Sequence, residues 1–514
     1  MFTRKYKWNL DKPLTLRGNT VHLIKEVKYL GITLDSKLQW KPHIESACNK
    51  AIRNLHHIRS SCNKTWGLKP AYTQWIYEQV VIPALSYGSI AWSHLIETKP
   101  WITDLLTHVQ RSALLLITGA MLKTPTAHLE VITNLLPLDI RIRKAAIKTY
   151  LRLKITSNSA NSKHGFRDGK LISHSQYLEN QCKSLLPPQQ LLDVAPATLN
   201  INLSYTICIK ERTQALEYIP KLHETNDLIG YTDGSVKNNL AGTGVALYKN
   251  ADIIMEKSQS LGNTTTIFQA EIMAILILCQ YITTLDHQAT ALHICIDSKA
   301  AIQALNGTIT RSHLVKDTAD ILNQLSQTLN ITLHWVPAHS NIDGNEKADN
   351  LANIGSDNPP IGPHPFTPFT NTTLNNILDS HFRSMHRKRL INYKNKDLHL
   401  NLITSFFDKE HSIIKEMHRQ DIRTITHLLT GCSFLGHYQK KIGNEHSSIC
   451  NKCQEEDETT AHYLARCPAF ILYRKHYFGN FIILQEGSLT LRITPTNLLA
   501  YAKATKYLNF YEPP

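Results

Sequence analysis

The fold is decided by residues 231–349, where five short motifs follow one another: 231–235 (YTDGS), 269–271 (QAE), 296–298 (IDS), 335–341 (WVPAHSN) and 344–349 (GNEKAD). Each motif carries an acidic or a histidine side chain. Three of the carboxylates fall on or beside predicted strands or helices, where a carboxylate is costly unless it is paired or binds a metal. Acids that one fold gathers from separate elements are typical ligands of a site with two divalent cations.

The predicted elements would bring these motifs together. A strand at 228–231 runs into Asp233, a helix at 265–281 carries Glu271 in its first turns, and a strand at 291–296 ends at Asp297. The other predicted elements are strands at 242–248, 253–258 and 331–336 and helices at 299–305, 314–329 and 345–354, the last of which carries Asp349. The predicted order is β-β-β-α-β-α-α-β-α.

These motifs and this order resemble the ribonuclease H family, type 1, over residues 224–357. The resemblance implies an α/β ribonuclease H-like fold, a five-stranded mixed sheet with flanking helices. It places the metal-binding acids of the family on Asp233, Glu271, Asp297 and Asp349 and its mobile histidine on His339. This chain has Ala338 and Asn341 where the family usually has glycine, which predicts a stiffer histidine loop.

The resemblance also implies a mechanism, in which two Mg²⁺ ions (or Mn²⁺) promote hydrolysis of the RNA strand of an RNA–DNA hybrid. Asp233 would bridge the ions, Glu271 and Asp297 would complete one site, and Asp349 would complete the other. Glu271 would also sense the ribose 2′-hydroxyl. His339 would carry a proton to the leaving 3′-oxygen, and Glu346 is expected to be a surface residue.

Each acid taken alone has an ordinary structural interpretation. Asp233 would be a turn residue, Asp297 an acid at the N-terminus of a helix, and Asp349 part of a solvated helix face. The functional interpretation depends on all of them occurring in register with the 335–341 motif.

Composition predicts several domains and a polyanionic partner, since the chain has 514 residues and a formal net charge of +15. No run of eighteen apolar residues is present, and residues 1–5 lack the apolar core of a signal peptide. The 10 cysteines are scattered apart from one cluster, which is typical of a reducing compartment. We therefore expect an intracellular protein, nuclear or cytoplasmic, that is neither secreted nor membrane-bound.

The positive charge lies outside the motif region. Residues 229–356 hold 7 Lys and Arg against 11 Asp and Glu, and the other residues hold 56 − 7 basic and 41 − 11 acidic side chains, a net charge of +19. The connection 306–313 is short and has one basic side chain, Arg311, where many ribonucleases H carry a basic helical protrusion. We therefore expect the flanking regions to bind the nucleic acid.

Residues 1–154 are predicted to be mostly helical, with a strand and turn at 27–35 and helices at 43–59, 69–85, 102–118, 127–134 and 141–153. The blocks 29–32 with 40–44 and 117–120 with 124–126 resemble the thumb and connection regions of reverse transcriptases from non-LTR retrotransposons. That family needs an Asp-Asp pair for polymerisation, and the sequence contains none. We expect a C-terminal part of such a polyprotein, as a truncated copy or a partial gene model. A generic helical domain with basic faces is the alternative.

The segments around the motif region are predicted from composition. Residues 155–223 are interpreted as a linker and connection, and 358–372 as a proline-rich linker. Residues 373–514 form a basic helical region with a zinc-knuckle-like module at 450–467. Its first helix, 373–396, would either contact phosphates or present a solvated face.

The tightest ligand spacing in the chain is Cys450-x2-Cys453-x8-His462-x4-Cys467. Zn²⁺ binds thiolate and imidazole ligands tetrahedrally, and a site closed by four ligands is structural. The cluster resembles the C-terminal zinc-knuckle-like region of the same retrotransposon proteins, although Cys432 stands where that family usually has histidine. Four unrelated residues are the alternative interpretation.

The expected function is an endoribonuclease that acts on RNA–DNA hybrids, with an upstream reverse transcriptase portion as a further partner. The first alternative is a catalytically inactive fragment that still binds nucleic acid. The others are a reverse transcriptase completed by another chain and a zinc-dependent regulator. Cleavage of the hybrid would identify a ribonuclease H, polymerisation a completed reverse transcriptase, and sequence-specific DNA binding a zinc-dependent regulator. These observations distinguish each of them from a simple binder.

Overall fold

The computed structural model describes residues 15–63, 66–156, 170–185, 192–194, 198–199, 203–250, 252–285, 289–359, 367–394, 417–444, 447–479 and 494–507. Three segments singled out above lie partly or wholly outside these residues: the start of the chain, most of the 155–200 linker and the proline-rich linker. Among the described residues, no helix combines the length and apolar character needed to cross a bilayer.

The chain divides into two compact units, and one of them is discontinuous. Unit 1 consists of Met1–Ile147 together with His381–Pro514, and unit 2 consists of Lys148–Ser380. Unit 2 contains all five motifs, and unit 1 contains the cysteine–histidine cluster.

The N-terminal part of the chain is mostly helical, as predicted. Its elements are strands β1 (Thr15–Leu16), β2 (Asn19–Thr20), β3 (Glu26–Tyr29) and β4 (Ile32–Asp35) and helices α1 (Lys41–Ser60), α2 (Pro70–Ile76), α3 (Ile82–Ser86), α4 (Pro100–Thr118), α5 (Thr126–Thr133), α6 (Leu138–Thr156) and α7 (Lys170–Leu185). The helix predicted at 69–85 is interrupted by a π-helical turn at Tyr77–Val81. Pro83 explains the interruption, because it has no N–H to donate to the carbonyl of residue 79.

Unit 2 is built around one sheet. Its elements are strands β5 (Thr198–Leu199), β6 (Thr206–Cys208), β7 (Leu228–Lys237), β8 (Leu240–Lys249), β9 (Asp252–Gly262), β10 (Ala291–Ile296), β11 (Ile309–Thr310) and β12 (Asn330–Trp335) and helices α8 (Arg212–Tyr218), α9 (Ile267–Ile282), α10 (Lys299–Leu305), α11 (His313–Leu325) and α12 (Asp343–Asp357). The order of elements from β7 to α12 follows the prediction, apart from the short strand β11.

The main sheet is mixed and has six strands in the order β6-β12-β10-β7-β8-β9. Strands β7, β10, β12 and β6 run parallel to one another. On the other side of β7, β8 is antiparallel to β7 and β9 is antiparallel to β8. The predicted mixed sheet with flanking helices is confirmed, but the expected number of five strands is wrong. The sixth strand, β6, has three residues, too few for a periodic pattern to identify it.

Two helices approach the sheet closely because glycine leaves room for them. A Cβ added at Gly234 on β7 would lie 2.6 Å from the backbone nitrogen of Glu271 on α9. A Cβ at Gly244 on β8 would overlap the carbonyl oxygen of Ala348 on α12. The sheet can therefore hold both helices at backbone contact distance, which brings the acids on α9 and α12 towards the end of β7.

The C-terminal part of the chain contributes helices α13 (Asn371–Lys394), α14 (Arg419–Thr430), α15 (Gly436–Lys441), α16 (Ile471–Phe478) and α17 (Pro495–Thr505). A π-helical turn lies at His462–Arg466 within the cysteine–histidine cluster. Short 3₁₀ turns lie at Ser89–Ala91, Ser93–Glu97, Pro220–Glu224 and Pro468–Phe470.

The two parts of unit 1 share a hydrophobic core. Val131 and Ile132 on α5 belong to the same buried cluster as Leu428 on α14 and Cys450 and Cys467 of the cysteine–histidine cluster. These cysteines thus share a core with a helix that lies some three hundred residues earlier in the chain, a long-range contact that local sequence patterns do not contain.

A buried arginine reinforces this junction. Arg419, at the start of α14, donates to the carbonyl oxygens of Leu68 (2.7 Å) and Leu116 (3.1 Å) and to the hydroxyl of Thr73 (3.1 Å). Arg389 on α13 forms two hydrogen bonds with the carboxylate of Asp139, at 2.7 and 3.1 Å. A buried guanidinium group such as that of Arg419 needs such partners, and the bonds of both arginines tie the C-terminal segment to specific N-terminal positions.

Candidate active site

Three acids meet beside two adjacent parallel strands. Asp233 lies within β7, Asp297 directly follows β10, and Glu271 lies in the second turn of α9. Strands β7 and β10 pair in register, with Thr232 opposite Ile296, so Asp233 and Asp297 lie side by side at the carboxyl end of β10. One carboxylate oxygen from each of the three acids lies within 4.8 Å of the other two.

The surroundings of these acids oppose ionisation in the metal-free protein. Asp233 is 6% exposed and Glu271 is 7% exposed. Burial, together with the charges of Asp297 and Asp349, raises the pKa of Asp233 to about 8. Burial, together with the charges of Asp233 and Asp297, raises the pKa of Glu271 to about 9. Burial and Asp349 also raise the pKa of Asp297. Carboxylates crowded in this way are stabilised in the charged form by a bound cation.

A second group of side chains lies next to the first. Asp349 on α12, Glu346 one turn before it and His339 in the preceding loop place their ligand atoms within 4.8 Å of one another. Interaction with Asp349 contributes to the raised pKa of Asp233, which places the two groups of side chains next to each other. Glu346 was expected to be a surface residue with no part in the site. Its spacing of three residues from Asp349 puts both on one helix face, a signal that the sequence already contained.

The loop that carries His339 has an unusual backbone. His339 (φ 49°) and Asn341 (φ 55°) both adopt left-handed conformations, and the hydroxyl of Ser340 donates to the carbonyl of Pro337 at 2.6 Å. Asparagine is one of the few residues that tolerates this region, so Asn341 can take the place of the usual glycine. His339 is exposed and therefore accessible to a ligand at the site.

Trp335 anchors the start of the same loop. Its indole N–H donates to the carbonyl oxygen of Asp297 at 3.0 Å, and the Lys299 ammonium lies 3.9 Å from the centre of one of its rings. The bond fixes the end of β12 to the residue that supplies an acid from β10. The 335–341 motif thus positions Asp297 as well as His339.

The donor set fits a divalent cation such as Mg²⁺. All the gathered ligand atoms of the first group are carboxylate oxygens, the donors that Mg²⁺ prefers. Moreover, the Oε2 atom of Glu271 is buried without a hydrogen-bond partner. A buried carboxylate oxygen costs free energy unless a proton or a metal satisfies it.

The connection that lacks a basic protrusion forms a small sheet. Strand β11 pairs antiparallel with β5, with Ile309 opposite Leu199 and Thr310 opposite Thr198. A strand from the segment before the motif region therefore pairs with this connection.

The four cysteine and histidine residues near the C-terminus also come together. Their ligand atoms lie within 4.8 Å of one another, with the Cys450 and Cys467 sulfurs 3.9 Å apart and the Cys453 sulfur 3.2 Å from Nε2 of His462. Two thiolates at ~2.3 Å from a tetrahedral zinc would be ~3.8 Å apart. The arrangement therefore fits one Zn²⁺ ion.

Neighbouring groups prepare two of these ligands. Burial acts to raise the pKa of Cys450, but hydrogen bonds from the backbone N–H groups of Cys453 and Lys452 lower it overall. A lowered pKa favours the thiolate. Nδ1 of His462 lies 3.2 Å from the carboxylate of Glu456, which also accepts from Arg466 at 2.9 Å. A carboxylate in that position holds the proton on Nδ1 and leaves Nε2 free to bind metal. Glu456 is not among the residues predicted for this cluster.

Known proteins resemble the segment that carries the five motifs. Residues 225–357 match the family model described as RNase H. Ribonuclease H from Ruthia magnifica subsp. Calyptogena magnifica is 32% identical over 147 residues, which are 26% of this chain and 97% of that protein. The crystal structure of RNase H1 from the halophilic archaeon Halobacterium salinarum NRC-1 is 22% identical and covers 26% of this chain and 98% of that one, with a TM-score of 0.22.

A longer relative is the Retrovirus-related Pol polyprotein from type-1 retrotransposable element R1 of Bradysia coprophila. It is 26% identical over 184 residues, which are 35% of this chain and 17% of the polyprotein. The chain thus spans about a sixth of that relative's length. The predicted resemblance to ribonuclease H within a retrotransposon polyprotein is confirmed by these relatives. Because a ribonuclease H that is 32% identical is matched over 97% of its length, this chain belongs to the ribonuclease H family.

Proposed function

We propose that unit 2 is an endoribonuclease that hydrolyses the RNA strand of RNA–DNA hybrids. The observation that carries the proposal is the convergence of Asp233, Glu271 and Asp297, with their oxygens within 4.8 Å, inside the segment that matches the RNase H family. Asp349 and His339 complete the set from α12 and the preceding loop. We expect RNA to be recognised by its 2′-hydroxyl and by duplex shape rather than by base sequence.

In this proposal the protein supplies the ligands and the proton path. Asp233 lies between the two groups of side chains and would contact both ions, with Glu271 and Asp297 on one side and Asp349 on the other. Two bound Mg²⁺ ions (or Mn²⁺) would supply a polarised phosphate and an activated water. Glu271 would also accept a hydrogen bond from the ribose 2′-hydroxyl. His339, exposed beside Asp349, would deliver a proton to the leaving 3′-oxygen.

We infer that Cys450, Cys453, His462 and Cys467 hold a structural zinc ion in unit 1. Four protein ligands leave no position for water or substrate, so this site would stabilise the fold. The basic flanking regions would hold the hybrid, because residues 229–356 are acidic overall. An upstream reverse transcriptase portion remains the proposed partner, consistent with the relatives in Pol polyproteins.

Cleavage of a hybrid whose two strands carry different labels tests the proposed activity. We expect the full chain to cut only the RNA strand and only with Mg²⁺ or Mn²⁺. Replacing Asp297 with Asn should lower the rate by ~10³-fold or more, since it removes a charged ligand. Asp320→Asn is the matched control, because Asp320 is exposed and its carboxylate pairs with Lys316 at 3.2 Å on the same helix.

Two results would contradict the proposal. Equal cleavage by wild type and Asp297→Asn would place the activity at another site. Tight binding of the hybrid by a folded protein that never cuts it would favour an inactive nucleic-acid-binding fragment instead.

A further inference from the structure

Asn353 connects one of the gathered acids to the sheet. Its side-chain Nδ2 donates to Oδ1 of Asp349 at 3.0 Å, and its Oδ1 accepts from the hydroxyl of Ser235 at 2.7 Å. Asn353 follows Asp349 by one helical turn on α12, and Ser235 follows Asp233 by two residues on β7. The amide thus spans the gap between the strand and the helix that supply two of the acids.

The chemistry of the three groups fixes the direction of this chain of hydrogen bonds. An ionised carboxylate can only accept, so the amide must present its NH₂ to Asp349 and its carbonyl to Ser235. Flipping the amide would set two oxygens against each other. The hydroxyl of Ser235 is held in turn by Ser356, which lies 3.5 Å away and is 1% exposed. The Asp349 carboxylate therefore sets the orientation of the Asn353 amide, and the Ser235 hydroxyl adapts to it by donating to the amide oxygen.

We propose that Asn353 is a positioning residue for Asp349, and that Ser235 acts through it. The amide occupies one oxygen of Asp349 and so sets the plane in which the other oxygen faces a cation. It does this without adding charge to a site already crowded with carboxylates. The inference rests on the proposed function, in which Asp349 is a metal ligand. Partners that orient a ligand in this way typically change metal affinity or activity by ~10–100-fold when removed.

Calorimetric titration of the full-length, zinc-loaded protein with Mg²⁺, without substrate, tests the role directly. We expect Asn353→Ala to bind Mg²⁺ ~10-fold more weakly than wild type. Ser235→Ala should weaken binding less, and the double variant should be no worse than Asn353→Ala, because both residues act through one bond to Asp349. The matched control is Asn358→Ala, directly after the end of the same helix, where the amide donates to the carbonyl of Ile354 at 2.9 Å.

Cleavage assays separate positioning from a merely structural role. For Asn353→Ala, the Mg²⁺ concentration that gives half-maximal cleavage should rise by the same ~10-fold, and saturating Mg²⁺ should restore most of kcat. Unchanged Mg²⁺ affinity in Asn353→Ala would overturn the inference, whether or not its thermal stability falls. If the wild type binds Mg²⁺ but cuts no hybrid, the proposed function fails while the positioning role is still decided by the titration.

Discussion

Folding strongly changes the pKa values of Asp233 and Glu271. Their ordinary pKa values of 3.8 and 4.5 rise to about 8 and about 9, chiefly because of burial. A group whose pKa is raised by folding binds protons more tightly in the folded state. Its contribution to stability is fully present below the unfolded pKa and is lost as the pH rises through the folded pKa.

This sign leads to a prediction about pH. Without Mg²⁺, the stability of the wild type should fall between about pH 5 and pH 9, by on the order of a few kcal/mol. Asp233→Asn removes one titrating group and should show a shallower fall. Thermal unfolding at a series of pH values, with and without Mg²⁺, measures both effects. We expect Mg²⁺ to flatten the dependence of stability on pH in the wild type only. Curves of stability against pH that run parallel in wild type and variant would contradict the prediction.

The acids themselves were predictable from sequence, but their partners were not. Asp233, Glu271 and Asp297 occur in recognisable motifs, and the structure brings them together. Asn353 lies outside every motif, and its role depends on a contact with Ser235, 118 residues away. The spacing of Glu346 and Asp349 places both on one helix face, but the sequence alone does not show that this face meets His339.

At the scale of elements, the segments on either side of the family match hold helix α9 at its N-terminus. Asp193 accepts hydrogen bonds from Ser312 (2.8 Å) and from the side chain of Gln269 (3.3 Å), and its backbone N–H donates to the carbonyl of Phe369 (2.8 Å). Gln269 also donates to the carbonyl of Pro368 at 2.7 Å. Glu271 lies two residues beyond this network.

We therefore predict that Asp193→Ala destabilises unit 2 by ~1–2 kcal/mol, because helices α9 and α11 both lose an acceptor at their first turns. Hydrogen exchange should become faster at the start of α9 and α11, and denaturant unfolding gives the free energy. Asp320→Ala, on the exposed face of α11, serves as the control. If the two variants have the same free energy of unfolding, residues 192–194 do not stabilise unit 2.

Most elements of unit 2 could be predicted from periodicity, and the errors have physical causes. The predicted strand 291–296 and helix 299–305 match β10 and α10, since alternation and a serine N-cap mark them clearly. The strand at 228–231 was predicted too short. It continues to Lys237 because it pairs with β8 along its whole length, and the polar side chains of Thr232, Asp233 and Ser235 are buried within it.

At the scale of the whole molecule, the discontinuous unit 1 makes the cysteine–histidine cluster part of a long-range core. Cys450 and Cys467 pack in one cluster with Val131 and Ile132 of α5. Linear order suggested separate N- and C-terminal regions. A single sequence does not reveal which apolar faces pair across such a distance, so the domain boundaries predicted above stay predictions.

Zinc should therefore stabilise helices far from its ligands in sequence. We predict that Cys467→Ser, or removal of zinc by a chelator, lowers the unfolding midpoint of unit 1 by on the order of 10 °C and speeds hydrogen exchange in α4 and α5. Cys432→Ser is the control, because Cys432 is buried nearby but is not one of the gathered ligands. Protection of α4 and α5 that does not depend on zinc would contradict the coupling.

The discontinuity also matters while the chain is being made. Ribosomes would release helices α4 and α5 before residues 148–380, a segment that takes roughly 10–50 s to translate. During that interval the apolar side chains that will contact α14, such as Val131 and Ile132, have no partner. The nuclease unit can fold as soon as it emerges, whereas the helices before it must wait for the last quarter of the chain. Newborn protein should therefore depend on chaperones that cover exposed apolar surface.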